Sequence, residues 1–312
     1  MRITSVITSG PQYSPDYRNS NVKSRAFDKE KFRSLFYETF KSMHLDASSG
    51  MNAEKMLDKL SKDNGITDRR EMAYMLATAL WETRVLKSKY VVVRDNNGNV
   101  VTDKSGKAKT RSVKTWGAMA PVKEADRGAG RRYFLPVKVK KLPGGRAQVT
   151  EQDGDQFIVE INGKYTPKKR GAVRGASPNV AMSQVYKDDD GEELAYYGRG
   201  LVQLTWWNNY AKAGAALGMS LELLFHPDLA EDEDIAYKLM SHGMVTGHGF
   251  ANGRKLSDYF RGDHADYVGA RAMVNGSDHA PEIAEMARKL QDILRRSEIL
   301  PHSQSLNIPK LP

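Results

Sequence analysis

The 312-residue sequence contains no cysteine, which excludes disulfides, a cysteine nucleophile and thiolate metal sites. No apolar stretch approaches the ~18–20 residues of a membrane span, and Met1–Gly10 lacks the apolar run of a secretory leader. Neither a membrane span nor a signal peptide is therefore expected. The histidines (His44, His226, His242, His248, His264, His279 and His302) form no H-E-x-x-H pair, and neither a G-x-S-x-G elbow nor a P-loop is present. The chemistry to be expected needs no metal and no cofactor.

Positive charge is plentiful and uneven. The net charge is +10, yet residues 86–174 alone hold 21 Lys and Arg against 8 Asp and Glu, a net +13, leaving the remainder slightly acidic. A basic segment suits an anionic polymer such as bacterial wall or nucleic acid, although a solvated lysine-rich β surface explains the same count. A nucleic-acid partner rests on charge alone and is disfavoured.

Residues 1–26 are polar, carry Gly10-Pro11 and Ser14-Pro15 and show no apolar period, so they are expected to form a flexible arm. Phe32, Leu35, Phe36 and Phe40 fall at helical spacing, and a second helix fits Met51–Lys62. The next helix has the clearest signals. Asp68 and Glu71 form a capping box, and Met72, Met75, Leu76, Ala79 and Leu80 mark one buried face. It ends in Leu80-Trp81-Glu82-Thr83, so Glu82 sits in an apolar setting that should raise its pKa, as a general acid requires.

From about 87 to 178 the period changes to two. Tyr90–Arg94 and Asn99–Thr102 flank an Asp95-Asn96-Asn97-Gly98 turn, Val137–Lys140 and Ala147–Thr150 flank Pro143-Gly144-Gly145, and Phe157–Ile161 runs into Asn162-Gly163. This reads as a β-rich insertion of two or three hairpins. Ser177–Glu193 reads as an acidic loop turning at Gly191, without the ligand spacing of a calcium loop. Tyr210–Leu217 (stopped by Gly218), Leu221–Phe225, Asp228–Met244 and an amphipathic run through Ile283, Met286, Ala287, Leu290 and Leu294 are expected helices, and residues 301–312 a tail.

The chain is organised around Ala195–Tyr210, AYYGRGLVQLTWWNNY. Glycines flank Arg199, and Gln203, Thr205, Asn208 and Asn209 lie among Trp206, Trp207 and Tyr210. Interleaved amides and aromatic rings suit a sugar groove, since rings stack on pyranose faces and amides read hydroxyl and acetamido groups. This stretch closely resembles the YYGRG-x-x-Q-[LI]-[ST] segment of glycoside hydrolase family 19, the lysozyme-like group of chitinases and phage peptidoglycan hydrolases. Met119-Ala120-Pro121-Val122-Lys123-Glu124 resembles the family's M-x-P-[IV]-x-E element, and Pro227-Asp228-Leu229 its N-P-[DE]-L element, with His226 in place of the asparagine. Arg254–Phe260 and Ala270–Gly276 resemble the prophage branch. The likeness covers roughly residues 27–86, 115–133 and 185–296, leaving the hairpins outside it.

The resemblance implies an α+β, mainly α, lysozyme-like catalytic domain at 27–300, interrupted by the β-rich insertion. It implies inverting hydrolysis of β-1,4 glycosidic bonds, with Glu82 as acid and Glu124, 42 positions later, as base, their carboxyls ~6.5–9.5 Å apart. One of Asp188, Asp189 and Asp190 is the alternative base. Thr205 would hold the attacking water, while Gln203, Asn209 and Asn275 would grip the glycan. Tyr197 and Trp206 are candidate subsite walls. Arg199 is expected either to fix the site by pairing with a carboxylate or to be a structural turn residue. The expected partner is the glycan strand of peptidoglycan, cut by a phage or prophage endolysin released through a holin to the cell wall, or by a virion-borne lysin. Other virion proteins could dock on the N-terminal arm or the insertion. A chitinase and a non-catalytic wall-binding structural protein are the alternatives.

Overall fold

The computed structural model describes residues 25–131, 135–152, 154–169, 187–188 and 191–299. Most of the expected arm, the C-terminal tail, and Asp189 and Asp190 lie outside these residues. Strand β1 (Ala26–Phe27) pairs with the last strand, β14 (Glu298–Ile299), so Ala26, expected to belong to the flexible arm, is part of a strand. Helices α1 (Lys29–Thr39), α2 (Ala47–Lys62) and α3 (Arg69–Glu82) follow. Each is capped by an aspartate: Asp28, Asp46 and Asp68 accept backbone N–H bonds from the first turn. The capping box between Asp68 and Glu71 is present.

Helix α3 departs from the one-faced reading. Every residue from Glu71 to Leu80 is buried, because α8 (Ala280–Ser297) packs along one side, α2 along another, and the Phe260 ring lies 5.8 Å from Tyr74. A helix enclosed on all sides needs an apolar circumference rather than a stripe. It therefore acts as the central post, holding its last residue, Glu82, at a fixed height. Helix α8 shows the opposite pattern and buries a single face through Ile283, Ala284, Ala287, Leu290 and Leu294.

The expected insertion divides into two unlike parts. Strands β2 (Val85–Val92) and β3 (Thr110–Gly117) pair antiparallel over eight rungs, from Val85↔Gly117 to Val92↔Thr110. The predicted local hairpin about Asp95–Gly98 survives only as a turn at the tip, with Arg94 bridged to Val100; the long ladder belongs to β3. After β4 (Val122–Lys123), strands β5 (Val137–Leu142), β6 (Arg146–Thr150), β7 (Gln156–Val159), β8 (Tyr165–Lys169), β9 (Lys187–Asp188) and β10 (Gly191–Leu194) form one sheet in the order β8-β7-β6-β5-β10-β9. The predicted acidic loop thus supplies an antiparallel pair, β9 and β10, in which Gly191 faces Asp188 and Glu192 faces Lys187. This sheet is no appendage. Val137, Val139, Ala147, Val149 and Val159 join the same apolar cluster as α3, and Trp207 packs on Phe157 and Tyr165 at 5.3 and 4.9 Å.

Strand β11 (Arg199–Gly200) pairs with β4, and the chain continues through α4 (Trp207–Ala216), α5 (Glu222–Phe225), α6 (Glu233–Thr246) and α7 (Leu256–Tyr259), then β12 (Phe260–Arg261) and β13 (His264–Ala265). The expected Asp228–Met244 helix is split, because Asp232 leaves the 3-10 turn Pro227–Glu231 and caps α6. The architecture is α+β and mainly helical. Among the described residues, no helix is long and apolar enough to cross a membrane.

Candidate active site

Glu82 ends α3 with 14% of its side chain exposed. Burial raises its carboxyl above the ordinary range, and Arg271 opposes that rise by charge and hydrogen bond. The helix C-terminus adds in the same direction as burial, since its partial negative charge disfavours a carboxylate. Arg271, 1% exposed, donates from Nη1 to Glu82 Oε1 at 2.5 Å and from Nε to the Asp278 carbonyl at 2.8 Å. Sequence reading assigned Arg271 no role. The available signal was an arginine between Ala270 and Met273 in an apolar run, because a buried guanidinium requires an acidic partner.

The residue after Glu82 ties it to the second carboxylate's segment. Thr83, fully buried, donates from Oγ1 to the Ala79 carbonyl at 2.6 Å and accepts from the Met119 N–H at 2.7 Å. Upstream, the first turns of α2 clamp the same strand: Ser49 Oγ accepts from the Ala118 N–H at 3.0 Å and Asn52 Nδ2 donates to its carbonyl at 3.2 Å. The chain then runs through β4 to Glu124.

Glu124 is held by the YYGRG turn. Its N–H donates to the Gly198 carbonyl at 2.7 Å, and the Gly198 N–H donates back to Glu124 Oε2 at 2.9 Å. A Cβ at Gly198 would lie 3.1 Å from that oxygen and 2.8 Å from Gln203 Oε1, so glycine is what lets the two side chains share this turn. Gln203 Nε2 donates to the Val122 carbonyl at 3.1 Å. Of the nine non-glycine residues with positive φ among those described, Met119, Asp126, Arg127, Gln203 and Trp206 lie on the two segments meeting here. Strained backbone of this kind concentrates at functional sites.

The remaining predicted residues separate into groups. Thr205 is half-buried beside Trp206, and its carbonyl accepts from Asn209 Nδ2 at 2.9 Å, so that amide orients the turn. Trp206 is 43% exposed and remains available as a wall. Asn275 is exposed, with Nδ2 3.3 Å from Asp278 Oδ2, on the same turn whose carbonyl holds Arg271. Tyr197, expected as a wall, is buried, and Arg199 pairs with a carboxylate as one of its two expectations had it. Arg199 is 4% exposed; its Nε donates to Asp228 at 2.9 Å, its Nη1 reaches the Ala195 carbonyl and Tyr210 Oη, and its guanidinium lies 3.7 Å from the Tyr197 ring centroid. Its charge is spent inside the fold, fixing the turn through a carboxylate, and Tyr197 is its floor. Only the backbone of Asp188 is described among the alternative bases. Among the described residues, no group of three or more His, Asp or Glu side chains is arranged to hold a metal ion.

Residues 152–247 match the family described as chitinase class I, glycoside hydrolase family 19. The match begins inside the hairpin region that the motifs had left out, contains Gln203, Thr205 and Asn209, and excludes Glu82, Glu124 and Asn275. Chitinase 8 of Oryza sativa subsp. japonica is 31% identical over 109 residues, covering 34% of this chain and 40% of that protein. Acidic endochitinase Q of Nicotiana tabacum is 57% identical over 82 residues (26% and 31%), and Inactive chitinase-like protein 1 of Hevea brasiliensis is 35% identical over 96 residues (26% and 29%). The chain spans 40% or less of the length of these curated relatives. No solved structure matches.

Proposed function

We propose that this chain is a glycoside hydrolase that cuts β-1,4 bonds of bacterial peptidoglycan, with Glu82 as general acid and Glu124 as general base on a lysozyme-like scaffold. One observation carries the reading: a largely buried carboxyl, raised by desolvation, is aimed by a buried arginine at the end of a rigid helix. Such a group holds its proton to a higher pH than an exposed glutamate does and can deliver it to a leaving glycosidic oxygen. Glu124, held at Oε2 by a backbone N–H, would take a proton from water attacking the opposite sugar face, with inversion. The Thr205 hydroxyl would steady that water, since it can donate and accept at once. Gln203, Asn209, Asn275 and Trp206 line up as glycan contacts, with Asn209 acting through Thr205.

The net +13 of residues 86–174 favours an anionic wall polymer over neutral chitin. Chitin is the second reading, because the matched relatives bear chitinase names. One relative is named inactive, so likeness alone does not decide between cutting and mere binding of a wall. Action as a phage endolysin released through a holin, or as a virion-borne lysin docked through the N-terminal arm, belongs to the same proposal.

Zymography on cell-wall substrate tests it. Wild type should give a clearing zone, and Glu82→Gln should lower activity about 10²–10⁴-fold, the usual contribution of general acid catalysis. A zone unchanged in Glu82→Gln would refute the assignment. Mass spectrometry of released muropeptides then separates reducing N-acetylmuramic from N-acetylglucosamine ends, and chitin oligomers run alongside decide the second reading.

A further inference from the structure

The arm formed by β2 and β3 has a face that nothing among the described residues covers. Side chains alternate across a strand, so Leu86↔Trp116, Ser88↔Lys114, Tyr90↔Ser112 and Val92↔Thr110 share one side of the ladder. On that side Leu86 is 46% exposed, Tyr90 77%, Val92 43% and Trp116 37%. Six of the eleven exposed large apolar side chains among the described residues lie on this arm. Two-stranded ribbons are marginal alone and gain little from apolar residues left in water.

The base of the arm is firmly fixed. The Asp46 N–H donates to the Trp116 carbonyl at 2.8 Å, the Trp116 N–H donates to the His44 carbonyl at 3.0 Å, and Lys87, on the other face, pairs with Asp46 at 2.7 Å. The open face also runs into the candidate site: the Arg84 guanidinium lies 4.0 Å from the Trp81 ring centroid and 6.0 Å from that of Trp116, and Trp81 precedes Glu82. From Leu86 to Val92 the strip is about 20 Å long at ~3.4 Å per residue. Val85–Gly117 holds eight Lys and Arg against two Asp, a net +6, and of these Lys114 lies on the open side of the ladder.

We propose that this face binds a carboxylate-bearing glycan strand as a continuation of the groove beyond Glu82, a role resting on the glycosidase reading above. Aromatic and aliphatic faces at Trp116, Leu86, Tyr90 and Val92 take the pyranose rings. Ser88, Ser112 and Thr110 hydroxyls read sugar hydroxyls, and Lys114, on the same side of the ladder, meets a carboxylate. A neutral glycan satisfies the rings but leaves Lys114 without an anion.

The test is cosedimentation of the full-length chain with purified peptidoglycan sacculi and, in parallel, with chitin, for wild type, Tyr90→Ala and Lys114→Glu. Both positions are exposed, and thermal melting checks that the variants fold. Each variant should weaken sacculus binding about tenfold, the scale of one aromatic or charged contact. The Lys114→Glu effect should shrink as salt is raised, and chitin binding should change less. Unchanged sacculus binding in both variants would overturn the proposal, as would equal loss on chitin with no salt dependence. A concentration-dependent dimer abolished by Tyr90→Ala would overturn it too, assigning the face to a second copy of the chain. Binding is read rather than turnover, so a wild type that binds sacculi through this face without releasing reducing ends would sink the glycosidase reading alone.

Discussion

Replacing Arg271 by methionine should move the alkaline limb of the pH–rate profile to higher pH. Two forces act on the Glu82 carboxyl: burial disfavours its charge, and Arg271 favours it through a charge-assisted bond of 2.5 Å. Removing the guanidinium leaves burial unopposed, so the acid keeps its proton to a higher pH. Stability should respond in the same sense. Above the variant's Glu82 pKa a buried carboxylate has lost its partner, which costs about 3–5 kcal/mol; below it, the carboxyl neutralises itself and much of that cost disappears. A group whose folded pKa exceeds its unfolded value loses stability as pH rises between the two, and the variant widens that interval. At ~2–4 °C per kcal/mol for a domain of ~150–250 residues, the melting temperature should fall by roughly 10 °C at alkaline pH and by distinctly less in acid. The measurements are kcat/KM and thermal unfolding across pH for wild type, Arg271→Met and Arg271→Lys. Lysine retains the charge without the fork that reaches both Glu82 and the Asp278 carbonyl, so its limb should fall between the other two. An alkaline limb that stays put in Arg271→Met would refute Glu82 as the acid, and a stability loss independent of pH would refute the electrostatic account of the pair.

Gly198→Ala should lower kcat/KM by about 10²-fold, the scale of a ~1 Å misplacement of a reacting group, because its Cβ would crowd Glu124 Oε2 and Gln203 Oε1; steady-state kinetics showing full activity would argue against Glu124. Glu71, buried at the start of α3, has its carboxyl pushed up to about 7 by burial, against the backbone bond that favours its charge. Its folded pKa lies above the ordinary glutamate value of 4.5, so stability should fall as pH rises between the two, by about 3 kcal/mol at ~1.4 kcal/mol per pH unit. Glu71→Gln should flatten that slope in denaturant titrations, and an unaltered slope would place the titration elsewhere.

The helices were legible because their signals are local, an aspartate cap and a 3.6-residue period, and the proposed site was read from contiguous motifs around Glu82, Glu124 and Gln203. Partnerships set by distant packing were not. Nothing near residue 90 announces that Val92 pairs with Thr110 rather than with the strand just beyond the Asp95–Gly98 turn, since both candidates carry β-branched residues. The sheet's place in the core was hidden for the same reason. Val137, Val149 and Val159 alternate as they would on any half-buried sheet, and only α4, far along the chain, supplies the Trp207 that Phe157 and Tyr165 pack against.

Arg199 shows what the motif left open. It was expected either to pair with a carboxylate or to be a structural turn residue, and the turn carries its guanidinium inward to Asp228, Tyr210 and two backbone carbonyls, so it does both. A cation that faces a catalytic candidate is Arg271, 189 positions after Glu82, inside the Ala270–Gly276 element but given no role there. These two buried arginines divide the work. Arg199 fixes the turn that grips Glu124, and Arg271 fixes the carboxyl that ends α3, so each candidate acid or base is set by a cation from a different part of the chain. Both of these guanidiniums, taken out of water, have a carboxylate and a backbone carbonyl to meet them, and the cost of burying them is offset by the geometry they impose.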